Sequence, residues 1–129
     1  MSQYLFAYGT LQHGHAPSEI AVAVERLRPV EQGSVRGHLY DLGDYPGAVP
    51  DPEATGRISG IVMELPEDAS FLNELDAYEG FDPQAPEASE FIRVRQLVEL
   101  NDGGAVECWF YLYNREPDPT REIESRETR

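Results

Sequence analysis

The residues with the clearest chemical potential are a short glycine-containing segment, Tyr8-Gly9-Thr10-Leu11, and one glutamate, Glu79. The segment directly follows an apolar run. A glycine at such a point lets the backbone turn sharply, so that consecutive N–H groups can hold a carboxylate or an oxyanion. Thr10 could add a hydroxyl donor, and Tyr8 a phenol or a wall. Taken alone, these four residues also fit a simple turn that ends a strand.

Glu79 lies in the sequence Leu75-Asp76-Ala77-Tyr78-Glu79-Gly80, at the end of a predicted amphipathic helix. The negative end of the helix dipole disfavours an anion there. Apolar and aromatic neighbours also favour the neutral acid, which raises the pKa toward that of a useful general acid or base. The alternative is an ordinary solvated carboxylate, since Glu79 is one of sixteen glutamates in the chain.

Several other polar residues have simpler explanations. His13 and His15 share one loop, but two imidazoles without a third nearby ligand rarely make a metal site. His38 is expected in a barrel wall. Arg93, within a strand, could contact a substrate, although pairing with a carboxylate such as Glu90 or Asp82 is the more common role. Cys108 alternates with apolar residues of the last strand and is expected in the core, without a Cys–His nucleophile. Aromatic residues on the opposite face of that strand could line a pocket or pack under a helix: Trp109, Tyr111 and Tyr113.

The composition limits the possible partners. The 129 residues make a single domain, and 24 acidic against ten basic residues leave a net charge of −14. Such a charge repels phosphate backbones and anionic membranes, so we expect no nucleic-acid or membrane partner. All ten basic residues are arginines, which excludes lysine-dependent Schiff-base chemistry and lysine-containing phosphate loops. One cysteine, and no signal-like or membrane-length apolar segment, predict a cytoplasmic protein without disulfides.

The elements that must position these residues follow from the periodicity. Strands are predicted at 4–8, 33–42, 58–65, 91–100 and 105–113, and the last two form a hairpin around Asn101-Asp102-Gly103-Gly104. Helices are predicted from Pro17 to Leu27 and from Pro66 to Gly80. Residues 43–52 should be a turn-rich connection and 81–90 an exposed loop. Residues 1–114 form the predicted domain, and the polar tail 115–129 should be frayed.

Together these elements predict an α+β fold. Six or seven short, mostly antiparallel strands would curl into a small mixed β-barrel with two flanking short helices, because closing a barrel removes exposed sheet edges. A barrel of this kind leaves a mouth where loops converge, which is a natural site for a small ligand.

The ordered set of motifs resembles the γ-glutamylcyclotransferase-like (AIG2-like) family over about residues 4–113. The resemblance rests on four segments: Tyr8-Gly9-Thr10-Leu11, Tyr45-Pro46-Gly47, Leu75-Asp76-Ala77-Tyr78-Glu79-Gly80 and Phe91-Ile92-Arg93. It implies a cofactor-free, metal-free enzyme that cleaves γ-glutamyl amides or peptides. In that reaction the α-amine of the substrate attacks its own γ-carbonyl, which releases 5-oxoproline and an amine or amino acid.

Carried over residue by residue, the resemblance makes Glu79 the catalytic acid/base and Tyr8, Gly9, Thr10 and Leu11 the residues that bind the γ-glutamyl group. Phe91 departs from the family pattern, because relatives often carry tyrosine at that position. Two alternatives remain open: a non-enzymatic domain that binds a small ligand in the same pocket, and a hydrolase of a related amide. The presence of Glu79, which some relatives lack, favours an enzyme.

Overall fold

The computed structural model describes residues 3–8, 26–43 and 46–123. Within these ranges the chain forms seven strands and one helix of more than one turn. The elements, in chain order, are β1 (Tyr4–Ala7), β2 (Arg28–Asp41), β3 (Pro46–Pro50), β4 (Arg57–Glu64), α1 (Ala69–Glu79), β5 (Phe91–Leu100), β6 (Ala105–Tyr113) and β7 (Glu122–Ile123). The predicted first helix falls almost entirely on residues 9–25, outside the described ranges.

The centre of the fold is a closed barrel of five strands in the order β2–β4–β1–β6–β5, in which β5 pairs back onto β2. Among the described pairings β1 and β6 run parallel, with Leu5 opposite Trp109, and the others are antiparallel. At the point of closure the backbones approach closely, since a Cβ on Gly33 would lie 2.8 Å from the carbonyl oxygen of Glu99. The predicted α+β class with a mixed, mostly antiparallel barrel is confirmed.

Strand β2 extends beyond the barrel and carries two outer strands. Its residues 37–41 pair with β3, and Leu39 and Tyr40 pair with β7. The interpretation of 43–52 as a turn-rich connection missed β3. Pro46 and Pro50 suggested a break, but they lie at the two ends of a short edge strand, where a missing N–H is tolerated.

The tail also differs from expectation, because its described part is docked on the barrel. The Arg115 guanidinium donates to the carbonyl oxygens of Ala88 and Ser89. Residues 119–121 form a single 3-10 turn, and Ile123 packs against the apolar core of the barrel. The prediction of a frayed tail is therefore wrong for residues 115–123. It was based on the polar composition of the tail, which does not show the hydrogen bonds that hold Arg115 to the rest of the chain.

Helix α1 ends at Gly80 as predicted and begins at Ala69, a few residues after the predicted start at Pro66. The Asp68 carboxylate accepts a hydrogen bond from the backbone N–H of Ser70 and caps the first turn. Gly80 ends the helix in the left-handed conformation, with φ of 75°. The helix therefore presents its last residue, Glu79, at a defined end.

The core has two parts, which lie on opposite faces of the central strands. Inside the barrel are nine buried residues, Phe6, Val35, Leu39, Ala48, Ile58, Val62, Val98, Cys108 and Phe110. Between the barrel wall and α1 lies a second group, Leu5, Ala7, Leu27, Met63, Leu65, Phe71, Leu75, Phe91 and Tyr111. Side chains alternate between the two groups along β1 and β6. The second group fixes α1 to the barrel wall by apolar packing.

None of the described helices is both long and apolar enough to cross a lipid bilayer.

Candidate active site

Glu79 occupies the last position of α1, and its side chain is half-buried. The backbone beside it is fixed, because the N–H of Phe81 donates to the carbonyl oxygen of Asp76 at 2.8 Å and that of Gly80 donates to Ala77 at 3.3 Å. Burial raises the pKa of Glu79 to about 7, and the negative charge of Glu90 acts in the same direction. A carboxyl group with this pKa can both take and give a proton near neutral pH.

Tyr8 directly follows β1 and lies within range of the Glu79 charge. Its hydroxyl donates a hydrogen bond to the carbonyl oxygen of Tyr111, and the backbone N–H of Ala48 donates to the phenol oxygen. Burial raises the pKa of Tyr8, and the Glu79 charge raises it as well. Strand β1 therefore places the phenol of Tyr8 where the charge of Glu79 acts on it. The other three residues of the predicted loop, Gly9, Thr10 and Leu11, lie outside the described residues, so their role stays a prediction.

A buried ion pair lies one helical turn before Glu79. The Asp76 carboxylate accepts hydrogen bonds from Arg93 Nε at 2.8 Å, from a terminal nitrogen of Arg93 at 3.2 Å and from the Tyr111 hydroxyl at 2.7 Å. The Asp76 side chain is 4% exposed, which makes these partners necessary. Arg93 was expected to pair with Glu90 or Asp82. It pairs with Asp76 because β5 runs beside the end of α1.

The aromatic residues of β6 pack under the helix. Tyr111 is buried between the barrel wall and α1, with Trp109 and Tyr113 partly buried around it. The guanidinium carbons of Arg93 and Arg95 both lie 4.4 Å from the Trp109 ring centroid. Of the two uses left open for this face, packing under a helix is the one observed, and Tyr111 adds a polar contact to it.

The Phe91 side chain is buried in the same apolar layer, with its ring centroid 5.6 Å from that of Tyr113. Cys108 is a buried core residue, as predicted, and burial raises the pKa of its thiol to about 12. No nucleophilic role follows for a thiol held in this form.

His38 lies on a strand, as predicted, but in the part of β2 that extends beyond the barrel and not in the barrel wall, where it belongs to a separate polar cluster. Its Nδ1 is 2.6 Å from a Glu122 carboxylate oxygen and its Nε2 is 3.1 Å from Asp51. Hydrogen bonding to these two carboxylates raises the pKa of His38. The cluster borders a cleft of about 410 Å³ between β2, β7 and residues 55–57. His13 and His15 lie outside the described residues.

Asp76, Glu90 and Tyr111 are site residues that the sequence reasoning did not assign. A signal for the first was present, since Leu72, Leu75, Asp76 and Glu79 follow the i, i+3, i+4, i+7 spacing of one helical face. Two carboxylates on an otherwise apolar helical face indicate acidic side chains that turn toward the protein interior and not toward solvent. Nothing in the local sequence placed Glu90 near Glu79, because a non-repetitive loop brings it there.

Fold and site together define a class: within the described residues, a small mixed β-barrel with a flanking helix that ends in a half-buried carboxyl group whose pKa is raised to about 7. The family model described as "Gamma-glutamyl cyclotransferase, AIG2-like" matches residues 5–128. The chain therefore belongs to the γ-glutamyl cyclotransferase, AIG2-like family.

Individual relatives agree with this assignment. The chain is 33% identical over 121 residues to the γ-glutamylcyclotransferase family protein YtfP of Escherichia coli K12, covering 94% of this chain and 91% of that protein. Among solved structures, a mouse AIG2-like protein aligns with a TM-score of 0.67 at 21% identity, over 90% of this chain and 80% of its own. YkqA of Bacillus subtilis aligns at 0.66 and 24% identity over 92% of this chain, which spans only 38% of that longer protein. These two structural similarities establish the fold.

Proposed function

We propose that this protein is a γ-glutamyl amide cyclotransferase. Its substrate would be a small γ-glutamyl amide or peptide, and its products 5-oxoproline and a free amine or amino acid. Family membership supports the general reaction class. The assignment of the specific reaction and of its residues is an inference from the site.

The observation that carries the proposal is the half-buried Glu79 carboxyl group at the end of α1, with its pKa raised to about 7 by desolvation and by the charge of Glu90. An acid of this kind is ionised in part of the population and protonated in the rest. A group that must first accept a proton and then donate it works best in that condition. An exposed glutamate with an ordinary pKa would be a poor proton donor at neutral pH.

The proton transfers follow from the chemistry of the substrate. The α-ammonium group gives a proton to Glu79 and becomes a neutral amine, which attacks the γ-carbonyl carbon. This attack forms the new C–N bond and closes the five-membered ring. In the tetrahedral intermediate Glu79 gives its proton to the former amide nitrogen and takes the second proton of the ring nitrogen, and the intermediate then expels the amine and re-forms the carbonyl group. The released amine takes the last proton from Glu79 and leaves as an ammonium ion. No water is consumed, and Glu79 returns to its starting state. General acid/base catalysis of this kind contributes ~10²–10⁴-fold to a rate.

Orientation of the substrate is the second requirement, because ring closure depends on a bent chain with the amine facing the carbonyl. We assign this role to the residues that follow β1. The N–H groups of Gly9, Thr10 and Leu11 would hold the α-carboxylate and polarise the carbonyl, and the Tyr8 ring would form a wall. The position of Tyr8 within the influence of the Glu79 charge supports this assignment.

The test is to incubate the protein with a panel of γ-glutamyl amines and dipeptides and to follow 5-oxoproline by mass spectrometry. We expect release by the wild type and a loss of ~10²-fold or more in Glu79→Gln. The matched control is Glu74→Gln, an exposed position on the same helix, which should retain full activity. Free glutamate as the product would show a hydrolase. Binding without any product would support the binding-domain alternative and overturn the proposal.

A further inference from the structure

Asp76 makes hydrogen bonds near Glu79 through both its side chain and its main chain. Its carboxylate is bound to Arg93 on β5 and to Tyr111 on β6, so the side chain ties α1 to the barrel wall. Its main-chain carbonyl accepts the N–H of Phe81, two residues beyond Glu79. The main chain of Glu79 therefore lies within a turn that is closed by the hydrogen bond from Phe81 to Asp76, the same residue whose carboxylate is bound to the barrel wall.

The partners of Asp76 also border the surroundings of Glu79. The charge of Glu79 acts on the Tyr111 phenol as well as on that of Tyr8, and the Tyr8 hydroxyl is bound to the carbonyl oxygen of Tyr111. Five ionisable or charged groups therefore share this region with Glu79: Tyr8 from β1, Asp76 from α1, Glu90 from the loop before β5, Arg93 from β5 and Tyr111 from β6.

The buried pair of Asp76 and Arg93 is neutral as a unit, so it can anchor the helix without imposing a net charge on the neighbouring acid. The Arg93 side chain is 17% exposed and that of Asp76 4%. By contrast Arg95, which lies over the same indole, pairs with Glu107 where both side chains are more than half exposed. Two arginines with similar aromatic contacts thus differ in whether they reach the helix.

We propose that Asp76, held by Arg93 and Tyr111, is the positioning residue that fixes the orientation of Glu79 in the active site. This inference rests on the proposed function for its catalytic consequence. Asp76 itself takes no part in proton transfer. It holds the last turn of α1 against β5 and β6, and the hydrogen bond from Phe81 to its carbonyl sets the exit of the chain.

Two substitutions separate positioning from charge. Asp76→Asn removes a negative charge and leaves Arg93 unpaired, so the ionised form of Glu79 is favoured and its titration midpoint falls by about one pH unit. Tyr111→Phe removes one hydrogen bond from Asp76 without changing any charge, so the midpoint stays while the end of the helix loosens. In both variants we expect kcat to fall about tenfold or more, with KM within about threefold of wild type.

The double variant Asp76→Asn with Arg93→Met distinguishes the two effects further. Neither charge remains in it, so the midpoint of Glu79 should return toward that of the wild type while kcat stays low. The control is Arg95→Met, which removes the matching arginine over Trp109 but no contact to the helix. It should change neither quantity.

The measurement is a titration of the glutamate side-chain carboxyl carbons by ¹³C NMR, with the Glu79 signal assigned by its loss in Glu79→Gln, together with steady-state kinetics. A wild-type midpoint and wild-type kcat in folded Asp76→Asn would overturn the proposal, as would variants that lose only thermal stability. If Asp76→Asn does not fold, Tyr111→Phe decides through kcat.

The two proposals fail in different ways. A wild type that releases no 5-oxoproline, in which Asp76→Asn still moves the midpoint, rejects the proposed function and retains the structural coupling. An active wild type with an inactive Glu79→Gln, beside unaffected Asp76→Asn and Tyr111→Phe, retains the function and rejects the positioning role.

Discussion

The hydroxyl of Tyr8 donates a hydrogen bond to the backbone carbonyl of Tyr111. This contact joins the end of β1 to β6 across the one described parallel pairing of the barrel, and both phenols lie within the influence of Glu79. The hydrogen bond to the β6 backbone therefore fixes the phenol of Tyr8 within range of the Glu79 charge.

Glu79→Gln should change how stability depends on pH. The pKa of Glu79 is raised from 4.5 in the unfolded chain to about 7 in the folded protein, so the folded state binds the proton more tightly. The free energy of unfolding of the wild type therefore falls, relative to Glu79→Gln, as pH rises from about 4 to 7. The difference reaches about 3 kcal/mol above pH 7. Urea unfolding of both proteins at several pH values measures it.

Since other groups titrate in the same range, the quantity to compare is the difference between the two proteins at each pH. Glu74→Gln, on the exposed side of α1, should follow the wild-type curve. A constant difference between the wild type and Glu79→Gln across this range would mean that the carboxyl group titrates normally in the folded protein.

Glu90→Gln should move the pH dependence of activity. The negative charge of Glu90 raises the pKa of Glu79, so its removal favours the ionised form. The acidic limb of the kcat/KM profile should shift to lower pH by roughly half a unit. Glu87→Gln, an exposed change in the same loop, should leave the limb in place. A limb that is unmoved in Glu90→Gln would separate this glutamate from the proton transfer.

Gly80→Ala should lower both stability and activity. Gly80 has φ of 75°, and a methyl group added at its Cα would meet no atom within 4 Å, so the cost is backbone strain of about 1 kcal/mol. Gly103 in the hairpin turn is matched, with φ of 98° and equally open space. We expect Gly80→Ala and Gly103→Ala to lower the melting temperature similarly, while only Gly80→Ala lowers kcat. Equal kcat values in the two variants would argue against a role for the helix end.

His38→Gln should weaken the docking of β7. The hydrogen bonds to Glu122 and Asp51 raise the pKa of His38, so their contribution is complete below about pH 6.5 and is lost as pH rises through the raised value. Trypsin cleavage after Arg121 should therefore be faster in His38→Gln than in the wild type at pH 6, and the two rates should converge near pH 9. A ratio that does not change with pH would show that the neutral ring suffices.

Local patterns predicted the hairpin, α1 and the end of α1 at Gly80 because these features depend on neighbouring residues. The 91–100 and 105–113 strands were placed correctly by alternation and a glycine turn, and Gly80 by its position after an apolar stripe. Strands β3 and β7 were missed because each is short, polar or proline-flanked. Strand β3 pairs with the neighbouring residues 37–41 of β2, where the flanking prolines obscured the strand, whereas β7 pairs with Leu39 and Tyr40 from far away along the chain.

The raised pKa of Glu79 was expected from its place at the end of an amphipathic helix with apolar and aromatic neighbours. The catalytic role of Glu79 and the binding role of Tyr8 stay predictions. The pairing of Arg93 with Asp76 could not be predicted, because it depends on how α1 lies across β5 and β6. The local sequence of α1, β5 or β6 does not indicate which residue will pair with a charged side chain.

The enclosed thiol of Cys108 gives the unmodified protein its own reporter of barrel opening. It is the only sulfhydryl in the sequence, and the barrel wall holds it away from reagents in solution. Alkylation at this atom would require the strands to separate, so the rate at which a maleimide or iodoacetamide attaches would count excursions from the native fold. Every variant described above could be compared on that scale without a dye or an added tag.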